Sequence, residues 1–332
     1  MDHRRDAAFD AVKGVLVVLT VFGHLLEYVW DMPVCDWAYR FVYVFHMPAF
    51  CFAGGWFGYK SDVWKTCRRN AYLYVVWQAV YLAFFMAFVP GGPVSVGFAW
   101  PVWLLWYLVS ITAWRVVLEM IRPWFGGHPW KAVAIAVAAG VLAGFDPDAG
   151  YALSWSRTVA FLPYYLAGAA CRSRDRHPAG TMARLGRAKY LVAAAGLAGA
   201  ALFASCSGVL PRKVLYCSLP YKGWDWVAAR FCQYAAAFLM IAALFALVPS
   251  RPGRICGIGR RSLYVYLAHG IPVKLLGMAA EGLPLDGLPV GCVLAAAAVL
   301  AVAISSACAG RTAGALMRPL AVPPWERKAE GV

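Results

Sequence analysis

The stretch FDAVKGVLVVLTVFGHLLEYVW, residues 9–30, decides the fold. A helix of this length rises far enough to cross roughly 30 Å of hydrocarbon. Yet the run contains Lys13, His24 and Glu27. An ionisable side chain near a bilayer centre costs about 2.5–3.5 kcal/mol on insertion scales, so it faces a protein interior or a wet cavity and points to function. On a helical wheel Asp10, Lys13, Thr20, His24 and Glu27 share one arc of about 100°, while the rest is mostly Val, Leu and Phe. Lys13 falls at one membrane boundary, and His24 lies about 16 Å further along the axis, past the middle.

Comparable apolar runs recur along the chain, which is 62% hydrophobic and 14% charged. Apolar residues occupy even and odd positions alike, without the ten-residue alternation of a membrane β-barrel. The expected fold is therefore all-α: a polytopic membrane bundle of about ten transmembrane helices near 9–30, 39–58, 71–90, 101–121, 131–145, 157–172, 189–205, 225–248, 262–280 and 289–309. The fifth and sixth are short. No stretch outside these runs suffices for a separate globular domain, so residues 1–332 read as one. Residues 1–30 do not resemble a cleaved signal peptide, because bulky Tyr28 and Trp30 follow the apolar segment instead of small residues.

Charge sets the orientation. With the N-terminus cytoplasmic, Arg4, Arg5, Lys13, Lys60, Lys65, Arg68, Arg69, Arg122 and Lys131 fall inside. So do the Arg172–Lys189 cluster, Arg251, Arg254, Arg260 and Arg261, and the tail's Arg311, Arg318, Arg327 and Lys328. Outside are Arg40, Arg212, Lys213 and Lys222. This asymmetry follows the positive-inside rule, supports an even number of spans and puts both termini in the cytoplasm. It also accounts for the net charge of +15, which is scattered over many loops and gives no reason to expect nucleic acid as a partner. The ten cysteines show no metal-ligand spacing, so no metal is expected; Cys206 and Cys217 share an outer loop and are able to pair in an oxidising compartment.

Other spans repeat the pattern of the first. The second carries His46 near its outer end, then Pro48, which lacks a backbone donor and predicts a kink, then Gly54 and Gly55, which permit close helix packing. The sixth carries Arg157 ahead of Pro163, and the ninth carries His269 and Lys274. Taken singly, these read as snorkelling cations or helix-to-helix hydrogen bonds; together they bring several nitrogen bases into the membrane. On the inner side, SDVWKTCRRNAY (61–72) holds Lys65, Arg68 and Arg69, which read either as positive-inside bias or as a phosphate cradle beside Lys13.

These motifs, in this order, resemble the membrane-bound acyltransferase-3 superfamily, in particular its fucose 4-O-acetylase-like O-acetyltransferase group. Lys13 precedes His24 by ten intervening residues, as in the family's first helix. FHMPAFCFAGG is similar to the second-helix motif, although Ala53 stands where Ser is usual. PVWLLWYLVS (101–110), SRTVAFLPYYLAG and IGRRSLYVYLAHG are similar to later signatures, and Lys65-x-x-Arg68 to a cytoplasmic basic pair. The resemblance covers nearly the whole chain. It implies an enzyme of the plasma membrane, an O-acetyltransferase of cell-envelope polysaccharide modification. Such an enzyme moves acetyl from cytosolic acetyl-CoA to a hydroxyl of an extracytoplasmic or lipid-linked carbohydrate, with separate glycan-assembly proteins as partners and membrane lipid around it.

Within that reading His24 is the catalytic histidine, as general base or as acetyl carrier, and Glu27 orients it from one turn away. Arg157 and His46 stabilise the oxyanion, and Lys13, Lys65, Arg68 and Arg69 hold the donor's phosphates. The competing class is a proton-coupled small-solute transporter, which also uses intramembrane His, Arg and Glu beside proline-broken helices. Against it, no internal repeat relates the two halves.

Overall fold

The computed structural model describes residues 6–89, 97–150, 152–248 and 253–329. Arg4, Arg5, Arg251 and Pro90, the expected end of the third helix, lie outside the described residues, as does the side chain of Lys328. Among the described residues all regular structure is helical. In chain order the helices are α1 (Ala7–Leu26), α2 (Pro33–Gly58), α3 (Val63–Phe88), α4 (Trp106–Phe125), α5 (Pro129–Leu142), α6 (Trp155–Ser173), α7 (Pro178–Arg184) and α8 (Lys189–Cys206). They continue with α9 (Trp224–Leu247), α10 (Arg254–Arg260), α11 (Ser262–Ala268), α12 (Gly270–Ala280), α13 (Val290–Cys308), α14 (Arg311–Ala321) and α15 (Pro324–Ala329).

All ten expected segments are helical. Among the described residues seven helices are long and apolar enough to cross a membrane. The expected ninth span is broken into α11 and α12, bent by 41°, and makes an eighth. The break has a local cause. Pro272 has no N–H to give the carbonyl of Ala268, and Gly270 lies between them. His269 sits at the bend. The chain is a polytopic, all-α membrane protein. Its cysteines are all free thiols, Cys206 and Cys217 included.

The chain divides into two compact units. The first comprises Met1–Phe50, Arg176–Leu215 and Ala228–Gly314, so far as these are described. Its axis is α1, which packs against α10, α11, α12 and α13. Asp6 starts α1 by accepting the amides of Ala8 (3.1 Å) and Phe9 (3.2 Å). Glycines set the closest approach. A Cβ on Gly14 would lie 2.1 Å from the carbonyl oxygen of Ile255, and one on Gly259 would lie 1.7 Å from that of Asp10. Of the apolar window in α1, 72% is buried, against 28% in α13, so the polar stripe of α1 faces protein and not lipid.

The second unit comprises Cys51–Asp175, Tyr216–Val227 and Ala315–Val332, again so far as these are described. Here α4 packs on α3 and α6, and α5 on α6. Asp62 caps α3 by accepting the amide of Lys65 at 2.6 Å. Gly55 meets the backbone of Tyr165 so closely that a Cβ would lie 1.8 Å from its carbonyl oxygen, as the small-residue run of the second span leads one to expect.

Candidate functional site: a buried histidine cluster

In the first unit His24, in the last turn of α1, is nearly buried. Its Nδ1 lies 2.7 Å from Glu27 Oε1. A carboxylate only accepts, so Nδ1–H donates to it, and in the neutral ring Nε2 keeps its lone pair. Tyr43 of α2 donates its hydroxyl to the same Glu27 oxygen at 2.9 Å, and that hydroxyl is 3.2 Å from His24 Nδ1. Glu27 thus takes hydrogen bonds from two helices and fixes the imidazole between them.

Two more imidazoles complete the cluster. His269, wholly buried at the α11–α12 bend, stacks on His24 with ring centroids 5.4 Å apart and planes 21° from parallel. Its Nδ1 donates to the carbonyl of Val265 at 2.8 Å. His46, also buried, donates Nδ1–H to the carbonyl of Val42 at 3.0 Å and lies 4.6 Å, centroid to centroid, from Tyr43. That bond leaves Nε2 of a neutral His46 as an acceptor, so a donor role towards an oxyanion requires its imidazolium.

The other stripe residues are accounted for. Thr20 bonds back to the carbonyl of Leu16 at 2.8 Å. At the opposite end of α1 the ammonium of Lys13 pairs with Asp10 at 2.9 Å, and Arg260 approaches the other oxygen of that carboxylate at 3.5 Å. Two cations share one acid there. Outside the span, His177 bonds to Asp6. Burial raises the Asp6 carboxyl, but the hydrogen bond and charge of His177 and the amides of Phe9 and Ala8 outweigh it, holding Asp6 below its ordinary 3.8.

In the second unit Arg157 is buried at the start of α6. Its Nε donates to Ser218 Oγ at 2.7 Å, and the guanidinium lies over Tyr216 (4.7 Å) and Trp106 (5.5 Å). Its neighbour Ser156 bonds the carbonyl of Cys217 at 2.6 Å. The backbone around this arginine is strained: Leu153 (φ 46°), Ser154 (φ 51°), Cys217 (φ 52°) and Trp103 (φ 42°) all sit in the left-handed region without being glycine. Such conformations cost about 1–3 kcal/mol each and gather where geometry matters more than stability. Lys65, Arg68 and Arg69 are exposed on the first turns of α3.

The acyltransferase family model, described as "Acyltransferase domain", matches residues 6–309. The chain belongs to this family. Among curated proteins, the acyltransferase is similar to the nodulation protein NolL of Sinorhizobium fredii, 39% identical over 62 residues that make up 16% of each chain. It is also similar to the nodulation protein NolL of Mesorhizobium japonicum, 36% identical over 76 residues, 20% of this chain and 19% of the relative. The matched stretches thus span less than a fifth of either relative's length. No solved structure matches.

Of the residues predicted for the site, His24, Glu27 and His46 come together in the first unit. Lys13 stands on the same helix as His24, while Arg157, Lys65, Arg68 and Arg69 belong to the second unit. Tyr43 was not expected; its signal is its place one turn before His46. His269 was visible as an intramembrane histidine, and the Gly-Ile-Pro that follows marks the bend, but no pattern in the chain joins it to His24.

Proposed function

We propose that this acyltransferase is a plasma-membrane O-acetyltransferase that moves acetyl from cytosolic acetyl-CoA to a hydroxyl of an extracytoplasmic or lipid-linked carbohydrate. The observation that carries the reading is the His24–Glu27 pair. Glu27 holds Nδ1–H, so Nε2 is the base, and the pair sits on the span that begins with Lys13. Nε2 takes the proton of the acceptor hydroxyl as its oxygen attacks the thioester carbonyl. The C–O bond forms, the C–S bond breaks, and the departing thiolate of coenzyme A takes up the proton. In the stepwise variant Nε2 itself carries the acetyl group between donor and acceptor.

Glu27 stabilises the imidazolium in either course, and Tyr43 shares that carboxylate. Arg157, held by Ser218 and by strained backbone, has the fixed charge that an oxyanion requires. Lys13, Lys65, Arg68 and Arg69 are suited to the phosphates of the donor. Both termini are cytoplasmic in this reading, and the acetylated glycan passes to separate assembly proteins.

The test is reconstitution in proteoliposomes with acetyl-labelled acetyl-CoA and carbohydrate extracted from cell envelopes. The expected product is label in a carbohydrate ester that mild alkali releases, formed together with free CoA. Proton-coupled solute uptake without CoA release would favour the transporter.

A further inference from the structure

The C-terminal tail lies beyond the residues that match the family, yet it docks on α3 in the second unit. Tyr72 donates its hydroxyl to the carbonyl of Pro319 at 3.1 Å. The ring of Trp325 stands edge-on to Tyr72, with centroids 5.6 Å apart, and the Arg68 guanidinium lies 4.8 Å over its face. Three consecutive side chains of this tail bury a polar atom that has no hydrogen-bond partner among the described residues: Trp325 Nε1, Glu326 Oε1 and Arg327 Nε. Each such atom costs about 1–3 kcal/mol, so three in a row on a packed tail is an expensive arrangement unless a ligand satisfies them.

Their chemistry is specific. Trp325 Nε1 and Arg327 Nε are donors, and with the Arg68 guanidinium they suit the oxygens of a phosphate ester. Glu326 Oε1 is an acceptor and suits an O–H or N–H group beside that phosphate. Exposed Lys65 and Arg69, on the same turns of α3 as Arg68, add positive charge for an approaching anion. A phosphate next to a sugar hydroxyl or an amino group occurs in a nucleotide and in some phospholipid headgroups.

We propose that Arg68, Trp325, Glu326 and Arg327 form the recognition box for the phosphorylated nucleotide end of the acyl donor. Trp325 and Arg327 bind phosphate, and Glu326 takes a hydroxyl or amino hydrogen. This rests on the acyl-CoA reading above and extends it to residues outside the matched family region. The tail is then a clamp for the donor as well as a cytoplasmic end.

The test uses the full chain in nanodiscs of phosphatidylcholine, titrated with acetyl-CoA and with adenosine 3′,5′-bisphosphate. Trp325→Phe leaves an aromatic ring beside Arg68 and Tyr72 but replaces the indole with a smaller phenyl that has no N–H; Arg327→Gln removes the charge. Each is expected to weaken both ligands about tenfold, as loss of a hydrogen bond to a charged group does. An unfolding midpoint equal to that of wild type shows that the variants are folded. If wild type binds acetyl-CoA and both variants bind it equally well, the box is overturned and the acyl-CoA reading stands. If wild type binds neither ligand, the acyl-CoA reading falls and the box with it. If phosphatidylglycerol in the nanodisc displaces the nucleotide from wild type but not from the variants, the box is a lipid headgroup site.

Discussion

At the scale of residues, the proposed chemistry depends on which nitrogen of His24 keeps its proton. Glu27 receives Nδ1–H at 2.7 Å, and Tyr43 holds the same oxygen from α2. Replacing Glu27 by Gln keeps the shape and removes the negative charge that stabilises an imidazolium. The expected loss is about 100-fold in the transfer rate with little change in donor affinity, measured as kcat and KM for acetyl-CoA. Tyr43→Phe deletes one hydrogen bond to the carboxylate and leaves the His24–Glu27 contact, so a loss of about tenfold or less is expected. A larger effect for Tyr43 than for Glu27 would show that the tyrosine, and not the carboxylate, sets the tautomer. The i, i+3 pairing of His24 and Glu27 was legible in the sequence because both fall in one expected span, although α1 ends at Leu26 and Glu27 caps it. Tyr43 and His269 were not, because their contacts to His24 come from helices that only folding brings to α1.

At the scale of elements, α1 is held at its start by Asp6 and along its side by glycine contacts to α10. A side chain at Gly259 must displace the Asp10 carbonyl, 1.7 Å from the Cβ position. Gly259→Val is therefore expected to destabilise the fold by about 3 kcal/mol, read as a lowered midpoint of thermal unfolding in detergent. The Asp6 carboxyl is lower in the folded state than its ordinary value. Its contribution to stability is thus complete above the ordinary carboxylate range and declines as the pH falls through the depressed value. Asp6→Asn should accordingly lower the unfolding midpoint at pH 7 and pH 5 alike, and the gap to wild type should close towards pH 3. A gap still fully open at pH 3 would contradict the lowered carboxyl. Helices were legible from length and apolarity, although of the ten expected spans only seven, or eight with the bent pair, are long and apolar enough to cross among the described residues. The break at His269 was not called, although Gly270 and Pro272 signal it, because the apolar run continues through it and a composition reading sees one span.

At the scale of the whole molecule, the sequence and the family match agree on a polytopic acyltransferase, with the stripe of α1 turned into protein. The cations expected on the inner side fall into two kinds. Lys13 and Arg260 share Asp10, whereas Arg68 stacks on the tail tryptophan. The sequence shows them all as basic residues on one side of the membrane, because charge bias records topology and not pairing. The central claim is that His24 does the chemistry, and it is tested most directly in proteoliposomes supplied with labelled acetyl-CoA and carbohydrate from cell envelopes. Wild type and His24→Ala are compared, with acetyl-CoA binding to each as the control for folding. The account predicts ester formation and CoA release by wild type, and a variant that binds acetyl-CoA normally but transfers at least about 100-fold more slowly. Transfer by His24→Ala at the wild-type rate would contradict it and move the base elsewhere.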